Sequence, residues 1–345
     1  MPRLTDTASD AASNLAGEAG RLLLICSHFF SYNELIAAQL RQMGYDVVVW
    51  DDRVFHTTLY KLLLRKLSLL TGLATARVYI DKAKLLPQGS LDQILIVKGE
   101  GLSRPVLSFL RSRFPQARIG LFLWDAVTNT RNSRRIAPFA DYVYTFDPDD
   151  ARQYGWHYRP LFAKRDDGMA YQQSKYDWSF VGTIHSDRAR VIRRFRAAVS
   201  PARRGFVFGY VPSRLLYLMH LVRDPRIAWE APGAISLAPM PSAAATRVIS
   251  SSRAVLDIEH PTQIGLTMRS IETLLSGRKL ITTNRTMLDS PLYHPSRVCV
   301  IDRANPIVPD RFFDDVFETI PDEVAHAHSL AGWADEVLGR VPALV

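Results

Sequence analysis

The sequence predicts an α/β protein of two doubly wound, Rossmann-like domains facing each other across a cleft. Three observations predict it. The 345 residues exceed the usual span of one domain, so two units of roughly 150–170 residues each are expected. Runs such as RLLLIC (21–26), QILIV (93–97) and IGLFLW (119–124) are apolar on both faces, as strands covered by helices on either side must be. Such runs alternate with helical patterns along the whole length, which is the mark of parallel sheets.

The first series opens with the strand at 21–26, a loop carrying Ser27 and His28, and a helix over about 31–43 that Gly44 ends. Strands follow at 45–50 (YDVVVW), 93–97, 119–124 and 142–146 (YVYTF). Between the second and third, LYKLLLRKLSLL (59–70) sets Tyr60, Leu63, Leu64, Leu67 and Leu70 on one face, with Lys61 and Arg65 opposite. The polar stretch AKRDDGMAYQQS (163–174) reads as a linker. The second series runs through WSFVGT (178–183), a helix over 186–199 with Ser186 as N-cap, a strand at 206–210, a helix over 241–251 and a strand at 254–258. A polar loop holding Gly265 leads to a helix with Met268, Ile271, Leu274 and Leu275 on its buried face. Gly277 closes that helix before a strand at 279–283. A strand at 298–302 and a helix over 312–320, packing back across the linker, complete the series. The expected division is a disordered tail (1–20), an N-terminal Rossmann-like domain (21–162), a linker (163–175), a C-terminal Rossmann-like domain (176–322) and a C-terminal helix or tail (323–345).

Cys26 and Cys299 each sit in an apolar run, which suits buried reduced thiols of a cytoplasmic protein and offers no metal-ligand spacing. No apolar run approaches the roughly 20 residues that span a bilayer, and the first twenty residues lack a signal-peptide core. The net charge of +9 is uneven: 185–205 carries +6 and 61–84 carries +5, leaving the rest slightly acidic. A basic face wants an anionic partner, or is simply a solvated helix face. Basic residues interleaved with exposed aromatics are missing, so nucleic acid is not an expected partner. The segment 59–70 reads first as a core helix and second as a basic helix lying peripherally on an anionic membrane.

A strand end, a glycine-containing loop and a helix N-terminus together make an anion site, because free N–H groups and the positive end of the helix dipole converge there. The stretch DIEHPTQIGLTMRSIETLLSGRKLITTN (257–284) has all three. It adds Arg269, suited to phosphate, and Glu272, suited to sugar hydroxyls. His260 and Gln263 are placed to reach a base, ribose or donor sugar, and Gly265 permits close backbone approach. Gly182 and Thr183, ahead of the helix expected at Ser186, form a second phosphate cradle. In the first domain, His28 is the best general base by residue type, with Asp125 or Glu100 able to serve if burial raises its pKa. Each strand-tip residue also has a plain reading as a cap or turn residue, and Asp51-Asp52 reads as a helix start rather than a metal pair. His326 and His328 lack companion ligands and read as surface residues.

Four segments, LFLWDAVTN (121–129), YVYTFDPDDARQYGWHYRPLFA (142–163), YDWSFVGTIHSDR (176–188) and HPTQIGLTMRSIETLLSGRKLITTN (260–284), resemble the CgeB-like group of GT-B glycosyltransferase-like proteins from bacterial exopolysaccharide, capsule and lipopolysaccharide gene clusters. The resemblance implies a GT-B fold and transfer of a sugar from a nucleoside-diphosphate sugar to a glycan or lipid-linked glycan acceptor, without a metal or other cofactor. It implies that Gly265, Arg269, Glu272 and Gly277 match the glycine–helix–glutamate element of retaining GT-B enzymes. Their first glutamate lies eight residues before the second; here Ile264 stands there, beside Gln263, and the stereochemistry stays open. If the enzyme inverts, His28 or Asp125 is the base. The alternative is a non-catalytic GT-B-fold factor that binds nucleotide or polysaccharide in the same pathway.

Overall fold

The computed structural model describes residues 19–28, 32–53, 68–130, 132–163, 174–223, 225 and 234–340. Most of the expected tail (1–18), residues 59–67 of the amphipathic segment, residues 164–173 of the linker and the final 341–345 lie outside the described residues. The chain divides into two compact units, Met1–Pro160 with Leu330–Val345, and Leu161–Ser329.

The first unit alternates β1 (Arg21–Cys26), α1 (Tyr32–Gln42), β2 (Asp46–Trp50), α2 (Ser68–Lys84), β3 (Gln93–Val97), α3 (Arg104–Arg113) and β4 (Arg118–Leu123). It continues with α4 (Ser133–Ile136), β5 (Tyr142–Thr145), α5 (Pro148–Tyr154) and β6 (His157–Tyr158). Its six strands are parallel, in the order β2-β1-β3-β4-β5-β6. Leu22 to Ile25, Ile94 to Val97 and Leu121 to Leu123 are all buried, which is why these runs lack polar alternation. The order reverses between β1 and β3, so the loops after those strands part to form a crevice.

The second unit runs β7 (Tyr176–Thr183), α6 (Arg188–Ala198), β8 (Gly205–Tyr210), α7 (Arg214–Arg223), β9 (Ile235–Ser236) and α8 (Ser242–Ser250). It then takes β10 (Ser252–Asp257), α9 (Met268–Leu275), β11 (Lys279–Thr282), β12 (Val298–Val300) and α10 (Asp322–Ala327). All strands are again parallel, in the order β12-β11-β10-β7-β8-β9, with the reversal between β7 and β10. This is the strand order of dinucleotide-binding sheets. After α10 the chain returns to the first unit as α11 (Leu330–Val337). There Trp333 meets Phe122 edge-on at 5.0 Å, and the wholly buried Glu336 and Arg159 pair at 2.9 Å. Among the described residues no helix is long and apolar enough to cross a membrane.

Three expectations are corrected. Ser186 does not cap a helix: it sits at φ +52°, α6 begins at Arg188, and Asp187 in the cap position is held instead by Arg303 at 2.7 Å. The helix expected over 312–320 shrinks to a single turn, Asp310–Phe313. Arg203 and Arg253 draw Asp314 aside, Phe312 and Phe313 enter the core, and Pro321 keeps the residue before it out of the helical region. His328 is buried rather than superficial, its Nδ1 lying 2.8 Å from the Val324 carbonyl at the end of α10.

Candidate functional site

In the second unit the crevice between β7 and β10 is braced by two arginines. Arg188, the first residue of α6, donates from Nε to the Ile258 carbonyl at 2.6 Å and from a terminal nitrogen to the Thr183 carbonyl at 2.9 Å, spanning the reversal point. Burial pulls its pKa down, against Asp257 and Glu259. From beyond β12, Arg303 donates to the Glu259 carbonyl (2.7 Å) and carboxylate (2.8 Å), as well as to Asp187. At the lips of this crevice the His185 and His260 rings lie 5.2 Å apart. Burial, then Arg188 and His260, push His185 down to about 4; burial, Arg188 and Arg303 also lower His260. Both rings are therefore neutral near pH 7, each able to offer an N–H to an anion.

The loop from β10 into α9 is fixed by its own polar residues. Asp257 accepts from the hydroxyls of Thr267 (2.5 Å) and Ser270 (2.7 Å), while Thr267 Oγ1 caps the helix by accepting from the Ser270 N–H at 3.1 Å. A carboxylate at the positive end of α9 is favourably placed. Asn284, just after β11, donates from Nδ2 to the carbonyls of Ile264 (3.0 Å) and Gly265 (3.1 Å), and Thr283 donates to Glu259. Gly265 is buried and has no left-handed φ. Arg269 and Glu272 share a face of α9 at 4.0 Å, each about one-third exposed, a pairing weak enough to yield to a ligand. Gly182 and Thr183 lie at the end of β7, as expected, Gly182 paired with Gly209; the Thr183 carbonyl accepts from Arg188 at 2.9 Å. Gln263 faces a neighbouring cavity of about 990 Å³, lined also by Glu259, Ile264, Arg285, His294 and Arg303. That cavity opens toward β11 and β12 and includes neither Arg269 nor Glu272.

The first unit gathers a second polar cluster around its own reversal point. Asp52 has no solvent exposure and accepts from Ser27 Oγ (2.5 Å) and the Glu100 N–H (3.1 Å), joining the tips of β1, β2 and β3. It therefore braces the three strand tips; the helix start expected at Asp51-Asp52 falls on residues 54 onward, outside the described residues. Arg53 pairs with Glu100 at 2.5 Å, and Lys98, at φ +76°, pairs with Asp125 at 2.7 Å. His28 lies 3.9 Å from Asp51 and 3.2 Å from the Asn33 amide. That spacing is too long for a direct hydrogen bond to Asp51. Asn132 Nδ2 donates to the carbonyls of Gly99, Glu100 and Leu102, as Asn284 does to its loop in the other unit. Gly101 is obligatory there, since a Cβ would come within 1.9 Å of the Asp52 carbonyl. Among the described residues, no group of three or more His, Cys, Asp or Glu is placed to hold a metal ion.

No family model matches the chain, and no curated protein matches it in sequence. Solved structures do. An alpha-glucosyltransferase in complex with UDP and a 13-mer DNA containing a central A:G mismatch aligns over 92% of this chain and 94% of its own, with TM-score 0.58 and 12% identity. Anabaena HepE in complex with UDP-glucose aligns over 93% and 98%, with TM-score 0.57 and 10% identity. The chain has the GT-B fold. A third neighbour is a UDP-GlcNAc 2-epimerase from Neisseria meningitidis bound to UDP-GlcNAc, covering 93% of this chain and all of its own at 8% identity and TM-score 0.52. Likeness at these identities establishes the GT-B fold and nothing finer.

Arg188, Arg303, Asn132, Asn284 and the brace role of Asp52 escaped the sequence reading. Their local signal is slight: each is a polar residue one to eight positions beyond an apolar run, indistinguishable there from a turn residue.

Proposed function

We propose that the chain is a glycosyltransferase related to the CgeB-like proteins. It takes a sugar from a nucleoside-diphosphate donor and attaches it to a surface-polysaccharide acceptor on the cytoplasmic side of the membrane. The observation that carries this reading is the β7/β10 crevice of a nucleotide-type sheet, with neutral His185 and His260 5.2 Å apart at its lips; the proposal sets Arg269 and the N-terminus of α9 beside it. The neighbours' UDP and UDP-glucose complexes support it by analogy. In the proposed step the bond between the sugar's anomeric carbon and the diphosphate oxygen breaks as one to the acceptor oxygen forms. The diphosphate leaves with its charge held by the α9 N–H groups and Arg269, with no metal required. Glu272 binds ribose or sugar hydroxyls. In an inverting reaction His28 takes the acceptor's proton and Asp51 stabilises the resulting imidazolium; Asp125 suits the task less, because Lys98 occupies its carboxylate.

A thermal-shift screen with UDP-, GDP-, dTDP- and CMP-sugars, followed by assay of released nucleotide, tests the proposal. Arg269→Ala is expected to weaken nucleoside-diphosphate binding by about 1–3 kcal/mol, the range for a charged hydrogen bond. Unchanged calorimetric affinity would remove Arg269 from the site. Ile264, standing where retaining enzymes keep their first glutamate, favours the second reading of a non-catalytic binding factor. Binding without nucleotide release from any donor would decide for it.

A further inference from the structure

Helix α7, RLLYLMHLVR, is apolar on two sides. Tyr217 and Leu221 face inward, onto the core that also takes Val191, Ile192 and Phe195 of α6. On the far side Leu215, Leu218, Met219 and Val222 are 68, 57, 43 and 77% exposed. Their spacing places them on a single stripe, a contiguous apolar surface of the kind that marks an interaction site. The surroundings are basic. The helix begins and ends on arginine, and from Arg188 to Arg223 the sequence contains no aspartate or glutamate. Right-handed crossovers through the sequential strands β7, β8 and β9 put α6 on the same side of the sheet as α7, and α6 exposes Arg190, Arg194 and Arg196.

We propose that α7 is an interfacial helix that docks this unit onto an anionic lipid bilayer. Its leucine stripe would enter the headgroup region while the arginines of α6 and α7 meet lipid phosphates. An apolar stripe beside the exposed arginines of α6, of which Arg190 also meets Asp187 at 3.7 Å, complements a negatively charged surface with a hydrophobic interior. A second copy of the chain would instead bring two arginine-rich faces together, at the cost of like-charge repulsion. The surface lies in the second unit and is independent of the 59–70 segment and of the donor chemistry.

The test is sedimentation of the full chain with phosphatidylcholine vesicles, with and without phosphatidylglycerol. The wild type should bind the anionic vesicles and lose that binding as salt rises. The double variant Leu218→Gln/Val222→Gln should lower the partition roughly tenfold or more, from the lost apolar burial. Arg214→Ala should lower it several-fold on anionic vesicles alone. Because these side chains are exposed, each variant should melt with the wild type, so a loss of binding reports the surface and not the fold. Three results would overturn the proposal: a double variant that binds like the wild type, a wild type that ignores phosphatidylglycerol, or a dimer in light scattering that the double variant splits while vesicle binding is absent.

Discussion

Asp52 is a carboxyl group shut away from water at the tips of three strands, and burial, opposed by the Ser27 hydrogen bond, raises its pKa to about 6. The folded protein therefore holds this proton more tightly than the unfolded chain does. The stability it contributes is full below about pH 4 and is lost as pH rises through 6, by about 3 kcal/mol for a shift of this size. The difference in unfolding free energy between wild type and Asp52→Asn, followed from pH 4 to 7, should change by that amount, and a flat difference would show that Asp52 is already charged. His185 carries the opposite sign. Its ring, held neutral with a pKa near 4, should gain basicity when a diphosphate enters the crevice. Under the proposed function, nucleoside-diphosphate binding near pH 5.5 is accompanied by extra proton uptake, read by calorimetry in buffers of different ionisation enthalpy. His185→Gln should remove that extra uptake, leaving only the nucleotide's own; equal uptake in both proteins would exclude the histidine.

Elements are positioned here by amides that reach loops distant in sequence. Asn284 holds the Gly265 loop through two carbonyls, so Asn284→Ala leaves two inward-facing oxygens without that donor and should cost about 2 kcal/mol of stability. Amide exchange should speed first at 264–267, ahead of the strands; uniform acceleration would mean the loop is not pinned locally. The same elements show what could be read from the sequence. The long strands are legible to within one or two residues, because a run buried on both faces cannot hide among polar positions, and Gly44 and Gly277 mark their helix ends through left-handed torsions. Two-residue strands such as β6 and β9 carry no run to find. Helix α7 escaped because an outward stripe of leucine and methionine erases the polar contrast that reveals a helix. The uses of Asn132, Asn284 and Arg188 depend on which carbonyls the fold delivers to them, which local pattern does not encode.

At the scale of the whole molecule, the chain leaves its first unit at Pro160 and re-enters it at Leu330. The re-entry was not legible, since α11 finds Phe122 and Arg159 across some two hundred residues of intervening sequence. Glu336→Ala removes the carboxylate facing the buried Arg159 and should destabilise the first unit by roughly 3–5 kcal/mol, while pairing Glu336→Leu with Arg159→Met restores much of the loss. Urea unfolding of the three proteins checks this, and a silent Glu336→Ala would show that the ion pair is dispensable. The same return path bears on birth at the ribosome. The residues up to Pro160 emerge well before Trp333, and at roughly 5–20 residues per second the interval is on the order of ten to thirty seconds. For that time the groove awaiting Trp333 stands open while the second unit, whose residues are contiguous, is free to finish first. The half of the chain made first is the half completed last, and its sticky interval sets when a nascent copy most needs a chaperone.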